Sequence, residues 1–240
     1  MEAIKTFNLT KKYKDIVAVD NLNLTINKGE LFSLLGINGA GKTTTIKILS
    51  CLTKPSKGDA FIEGNSIITQ QDNIKKIIGI SPQENAIAPN LTVRENLELM
   101  CGIYNIEKEK IKEKILNFSE LFKLTEVLNK KASKLSGGFK RRVSIAMALI
   151  ADPKILFLDE PSLGLDVIAR SELWDIILNL KGKTTIILTT HYMEEAEILS
   201  DRIAIMKHGK MLIVDTVDGI KKSTNTTKIE DAFIKIVKEN

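Results

Sequence analysis

The run GINGAGKT, residues 36–43, sets Gly36, Gly39 and Gly41 ahead of Lys42 and Thr43, between the apolar stretch LFSLL and the helical spacing of TTTIKILSCL. Glycines so spaced let a backbone turn tightly and aim its N–H groups at an anion, while the lysine adds a point charge. The pattern G-x-x-x-x-G-K-[ST] in a strand–turn–helix setting predicts a phosphate loop. Lys42 is expected to reach β- and γ-phosphates and Thr43 to ligate Mg²⁺ through its hydroxyl, with Asn38, Ala40 and Thr44 in the same site. A glycine-rich turn that binds nothing would not need a lysine followed by three threonines at a helix start.

Two further runs carry groups that could act on what such a loop holds. ILFLDEPS ends an apolar strand in Asp159 and Glu160. The carboxyl ends of parallel strands form a ligand crevice, so Asp159 is expected to hold Mg²⁺ through water and Glu160 to act on an attacking water. TIILTTHYMEEAE repeats the arrangement and puts His191, one of two histidines, at the end of its strand. A lone histidine is more often structural than catalytic, but this one falls at the same sheet edge as the other groups. Gln83 in GISPQEN also follows a short apolar run, where it could reach Mg²⁺ or water; by itself it reads as loop. His208, in the turn KHGK, has no such company and reads as an exposed turn residue.

The stretch KLSGGFKRRVSIAMALIA, residues 134–151, poses a different question. Ser136 is a good helix N-cap, and Val143, Ala146, Met147 and Ile150 follow at i, i+3, i+4 and i+7, so a helix begins near Gly137 and Gly138. Lys140, Arg141 and Arg142 then lie near its positive end, where each opposes the helix dipole by about 0.3–1 kcal/mol unless an anion docks. Taken alone, the stretch reads equally as an anion site without its anion and as a connection with solvated charges.

The elements that must position these groups are legible as alternating strands and helices. Apolar or alternating runs at EAIKTFNL, AVDNLNLTI, LFSLL, DAFIEG, KIIGIS, KILFLDE, TTIILTT and RIAIM predict strands; TTTIKILSCL, TVRENLELMCGIY, EKIKEKILNFSELF, VSIAMALI and SELWDIILNL carry helical spacing. LFSLL, ILFLD and TIILT are apolar throughout, as strands buried on both faces of a parallel sheet are. Residues 86–153 read almost wholly as helix, a helical subdomain inserted in an α/β core. KHGK reads as a hairpin turn, and KKSTNTTK as a polar linker to an amphipathic helix at 228–239. That helix has Ala232, Phe233, Ile236 and Val237 on the side expected to pack on the core.

Composition bounds the class. With 240 residues, 43% hydrophobic and 27% charged, the chain can bury a core as a single domain. No apolar run approaches the roughly 18 residues of a membrane span, and MEAIKTFNLTKKY lacks the hydrophobic segment of a signal peptide, so a cytosolic chain is expected. Cys51 and Cys101 form no CxxC pair and read as buried free thiols. The net charge of +5 and pI near 9.0 permit an acidic partner, but the charge is spread along the chain.

Taken together, the runs resemble the ATPase subunit of an ATP-binding cassette (ABC) transporter. The resemblance covers nearly the whole chain in order: Tyr13 before the first core strands, GINGAGKT, Gln83, LSGG at 135–138 as the family's signature, ILFLDE, GLD at 164–166, and His191. It implies a P-loop NTPase core of α/β class, with a mostly parallel sheet, an N-terminal antiparallel β portion and an inserted helical subdomain. It also implies ATP and Mg²⁺ as cofactors and a second ATPase subunit, read as an identical copy, paired head to tail.

Residue by residue, Tyr13 would stack on adenine, although KKYKDIVAVD equally fits a half-buried strand residue. Lys42 and the loop glycines would bind phosphate, Thr43, Gln83 and Asp159 would serve Mg²⁺, and Glu160 would be the general base. Ser136, Gly137 and Gly138 would meet the partner's γ-phosphate, Asp166 would communicate across the dimer, and His191 would sense the γ-phosphate.

The sequence departs from the family at Phe139, where the signature commonly continues with Gln, and at Val167, commonly Pro. SGGFKRR, LGINGAGKTTTIKIL, HYMEEAE and IEDAFI resemble most the ATPases of prokaryotic drug, antibiotic or ion export. The implied permease is a separate membrane polypeptide that places this chain on the inner face of the cell membrane. Its docking surface is expected in the helical region, with Ile87, Leu91, Met100 and Tyr104 as candidates that equally suit the core. No specific nucleic acid is expected: one cassette without a coiled-coil insertion or an aromatic–basic patch disfavours a ribosome or nucleic-acid ATPase. A small-molecule kinase leaves LSGG and His191 unexplained.

Overall fold

The computed structural model describes residues 1–239. The chain opens with Glu2–Tyr13 (β1), Ile16–Leu22 (β2) and Thr25–Asn27 (β3), and both later strands run antiparallel to β1. Leu31–Gly36 (β4) leads through residues 37–41 into Lys42–Leu49 (α1). Lys57–Ile62 (β5) and Asn65–Ser66 (β6) return to the antiparallel sheet, and Gln71–Lys75 (α2) leads to Ile78–Ser81 (β7). From there to the next strand the chain is helical: Val93–Ile103 (α3), Lys108–Leu121 (α4), two short 3-10 turns and Gly137–Leu149 (α5). Ile155–Asp159 (β8), Val167–Leu180 (α6), Thr185–Thr190 (β9), Met193–Leu199 (α7), Arg202–Lys207 (β10) and Lys210–Asp215 (β11) follow. Val217–Thr224 (α8) and Ile229–Glu239 (α9) come last.

The second sheet has the order β11-β10-β4-β9-β8-β7, and every pair in it is parallel except β10–β11. Its central strands β4, β8 and β9 are buried along their whole length, which is why they read as unbroken apolar runs. Their register sets the site. Leu35 pairs with Thr190 and Asp159 with Thr189, so β4, β8 and β9 end at one level and deliver Lys42, Asp159, Glu160 and His191 to one edge.

Three apolar clusters hold this frame: one between α3, α4, α5, α6 and the sheet, one between the two sheets, and one under α8 and α9. In the last, Ala232, Phe233 and Ile236 of α9 pack with Leu35, Ile203 and Ile205, and Val237 is half-buried against them. Ile87, Leu91, Met100 and Tyr104 are all half-buried, and Ile87 and Met100 pack against the helical cluster. Cys101 is buried, whereas Cys51 is half-buried.

Two expectations are corrected. AVDNLNLTI is not one strand. The chain leaves the strand at Asn23 and Leu24, which separate β2 from β3, two residues after Asn21 inside β2 takes a left-handed φ of 51°. KKSTNTTK is not a linker from its start, because Lys221–Thr224 are the last residues of α8. Thr216 caps that helix through its side chain, and burial of Val217, Ile220 and Thr224 outweighs the polar surface facing solvent.

Candidate active site

The loop after β4 turns because two glycines permit it. Gly41 has φ 104°, and a Cβ there would run into the carbonyl oxygen of Ala18; a Cβ on Gly36 would lie 2.6 Å from the carbonyl oxygen of Met206. The helix that follows starts with no side-chain cap and no acid in its first turn, which leaves its N–H groups and positive dipole end for an anion.

The side chains at this edge are bonded to one another across three strands. The Lys42 ammonium, 5% exposed, donates to the carbonyls of Gly36 at 2.7 Å and Ile37 at 3.3 Å, and lies 3.4 Å from Glu160 Oε1. Glu160 Oε2 is 2.5 Å from His191 Nδ1. Glu160 itself sits at φ 49°, outside the strand's backbone range, and its N–H donates to the Thr189 carbonyl at 3.1 Å and hydroxyl at 3.0 Å. That turn aims the carboxylate between Lys42 and His191. Beside it, Asp159 Oδ1 accepts from the hydroxyls of Thr43 at 3.0 Å and Thr189 at 2.5 Å.

A cavity of about 660 Å³ opens over this network, within the range that holds a small organic ligand. Of the predicted residues, Asn38, Gly39, Ala40, Gly41, Lys42, Thr43, Thr44, Gln83, Glu160 and His191 line it. Gly36 and Asp159 stand behind it through their bonds to Lys42 and Thr43. Tyr13 is not on its wall. It is exposed at the end of β1 with Lys11 Nζ 4.9 Å from its ring centre, and Ile16, Val17 and Ala18 line the cavity instead. His208, read from sequence as a mere turn residue, does line it.

Ser136, Gly137, Gly138 and Asp166 lie outside this cavity. Ser136 caps α5 by accepting from the Phe139 N–H at 3.4 Å, and Asp166 caps α6 by accepting from the Ala169 N–H at 2.9 Å. Ser136 and Gly137 are exposed, while Gly138 is where α5 meets α6: a Cβ there would come within 2.9 Å of Ala169 Cβ.

The cluster of bases behind them is not waiting for an anion as a group. Arg141 is 3% exposed and spends its fork on backbone carbonyls: Nε on Pro161 at 2.9 Å, one terminal nitrogen on Asp159 at 2.7 Å, the other on Pro82 at 2.5 Å. Burial pushes its pKa down to about 10 against the opposing pull of Asp159, Glu195 and Glu160, so it stays charged. Arg142 pairs with Glu172 at 3.2 Å and lies 4.4 Å over the Phe139 ring, which packs against the helical cluster. Sequence spacing could not show this, because α5 is buried on nearly all sides and its charges face protein.

Burial also raises the Glu195 carboxyl. The hydrogen bond that Trp174 Nε1 donates to Oε1 at 3.0 Å opposes that rise. Nothing in the sequence marked Thr189 or Glu195, and Arg141 read only as one of three charges at the start of α5, since each acts through contacts between distant segments.

The edge can cradle a polyphosphate between Lys42, the loop N–H groups and the hydroxyls of Thr43 and Thr44. The Thr43–Asp159 oxygen pair suits a hard divalent cation. Among the described residues no group of three or more His, Cys, Asp or Glu could hold a metal by itself, so the cation would complete its shell with water and phosphate oxygens, as Mg²⁺ does.

Comparison with known proteins agrees with this geometry. A family model described as ABC transporter matches residues 19–163. The human phospholipid-transporting ATPase ABCA3 is 41% identical over 212 residues, covering 87% of this chain and 12% of that protein. The probable multidrug ABC transporter ATP-binding protein YbhF of Escherichia coli is 37% identical over 240 residues, covering 98% of this chain and 41% of that protein. A solved ATP-binding cassette, a dimer in a post-hydrolysis state bound to ADP and Pi, superposes with TM-score 0.80 at 31% identity over 89% of this chain and 98% of its own. The chain spans less than half the length of these curated relatives.

Proposed function

The chain belongs to the ABC transporter family and is an ATP-binding domain of P-loop NTPase fold, and from that premise we propose that it hydrolyses ATP to power transport through a separate membrane permease. The observation that carries the proposal is the Glu160 carboxylate, 7% exposed and held between Lys42 and His191 at the cavity edge. A bound γ-phosphate takes the Lys42 ammonium from Glu160, and the freed carboxylate accepts a proton from the attacking water while His191 holds its other oxygen. Thr43 and Asp159, with Gln83, would hold Mg²⁺, which would supply charge neutralisation at the phosphate oxygens.

The start of α5 supports a head-to-tail pair. Ser136 and Gly137 are exposed, and Val167 and Ile168 beside Asp166 are 73% and 74% exposed, an apolar surface suited to a second copy. In the pair, Ser136, Gly137 and Gly138 meet the γ-phosphate held by the partner, and Asp166 faces across the interface. Each charge-assisted hydrogen bond to phosphate contributes about 1.5–3 kcal/mol, and a swing from 1:99 to 99:1 needs about 5.5 kcal/mol, so a few contacts at two sites suffice to close the dimer. Hydrolysis removes them and reopens it.

Residues 1–240 act in this proposal as one nucleotide-binding domain, with residues 86–153 as the helical subdomain that the permease grips. Half-buried Met100 and Tyr104 line an apolar groove there with Ile78 and Ile80. No helix of the described residues is long and apolar enough to cross a membrane; membership of the family supports work at the inner, cytoplasmic face of a membrane. The likeness of SGGFKRR and IEDAFI to drug- and ion-export ATPases favours export. The test is to tag Glu160→Gln, solubilise cells in mild detergent with ATP, and identify what co-purifies. A polytopic membrane protein is expected; ribosomes or DNA without one would move the activity to another class.

A further inference from the structure

Two histidines face the nucleotide cavity, and they stand on different walls. His191 is on the wall of Glu160, where the proposed function sets the β- and γ-phosphates against Lys42 and Thr43. His208 is carried by the β10–β11 turn, which rests on the other flank of the phosphate loop. The Gly209 N–H donates to the Ala40 carbonyl at 3.0 Å, the Gly209 carbonyl accepts from the Asp20 N–H at 2.9 Å, and a Cβ on Gly209 would lie 3.0 Å from the carbonyl oxygens of both Val17 and Ala18. From behind, Lys207 Nζ donates to the Val237 carbonyl near the end of α9 at 2.7 Å. The turn is therefore fixed to the phosphate loop, to β2 and to α9.

This turn has both central residues left-handed, His208 at φ 48° and Gly209 at φ 79°, as a type I′ hairpin requires. Asn-Gly meets that requirement well, so the turn needs a residue tolerant of this conformation at 208 and does not need an imidazole. The imidazole is what lines the cavity, on a wall that is otherwise aliphatic: Ile16, Val17 and Ala18. A nucleotide with its terminal phosphates at Lys42 and Thr43 must extend its sugar and base away from Glu160, toward this wall. Resting on the nucleotide reading above, we propose that His208 contacts the nucleoside half of the bound nucleotide, by an N–H to the sugar or by its ring against the base.

The test is to titrate ATP, ADP and inorganic tripolyphosphate into the full chain and into His208→Asn, which keeps the turn; a thermal melt without ligand checks that the variant folds. His208→Asn is expected to weaken ATP and ADP about three- to tenfold and to leave tripolyphosphate affinity unchanged. Equal ATP affinity in both chains overturns the proposal. An equal loss for tripolyphosphate also overturns it, because the contact would then be to phosphate. If the unaltered chain binds no ATP, the nucleotide reading itself fails, an outcome the same titration separates from the other two.

Discussion

The cavity edge and the start of α5 both place glycines at a helix start, yet the chain treats them in opposite ways. At the cavity, Lys42, Glu160, His191, Thr43, Asp159 and Thr189 are bonded to one another across three strands, so the charges are mutually held within one chain. At α5, Ser136 and Gly137 are exposed, and the nearest arginines are bonded away from solvent. A site that must hold a reactive group in place is built from buried strand ends. A site that meets something arriving from outside is left on a rigid helix with its charges spent on protein.

The largest break in that contrast comes from the proposed base, Glu160. Glu160→Gln is expected to lower the rate of phosphate release by about 10²- to 10⁴-fold, the range for loss of a general base, while ATP still binds. A loss under tenfold would put the base elsewhere. Next is Ser136→Asp, which preserves the helix cap but would set a negative charge against the phosphate of the proposed partner. Turnover is expected to fall about tenfold or more, with the melting temperature and the ATP affinity of the single chain retained. Full activity in that variant would mean that α5 meets no phosphate.

Arg141→Lys sharpens the comparison on the buried side. Lysine cannot reproduce the fork that serves Pro161, Asp159 and Pro82, and each buried carbonyl left unpaired costs about 1–3 kcal/mol. The melting temperature should fall roughly 2–4 °C for each kcal/mol lost. An unchanged melt would show that the fork does not hold these loops.

The smallest effect is the pH dependence of Glu195. Its carboxyl is raised in the fold by burial, so the folded state retains a proton that the unfolded chain gives up. That contribution is present below the unfolded pKa and is lost as pH rises through the folded one. Glu195→Gln keeps an oxygen for Trp174 and has no such proton. Melting curves of the two chains should therefore lie together at acid pH and separate as pH rises, with the glutamine variant gaining relative to the original. Parallel curves at every pH would remove this role.

Most of the frame was legible because its signals are local. Apolar runs marked β4, β8 and β9 since burial on both faces removes polar residues from a strand, and Ser136 marked the start of α5 because a cap is a short-range bond. The break between Leu22 and Thr25 and the helix that runs into KKSTNTTK were not legible, since a left-handed Asn21 reads like any polar strand residue and the apolar anchors of α8, Val217 and Ile220, lie ahead of that polar run.

By itself, then, the sequence determined the strand–loop–helix of the phosphate site, the carboxylates at a strand end and the family resemblance, all of which depend on residues close together in the chain. Only the tertiary structure decided that Arg141 is buried on loop carbonyls, that Glu160 rests between Lys42 and His191, and that His208 reaches the cavity while Tyr13 does not. The reason is physical: those facts depend on which segments the sheet register brings to one level, and that register is set by the packing of the whole core.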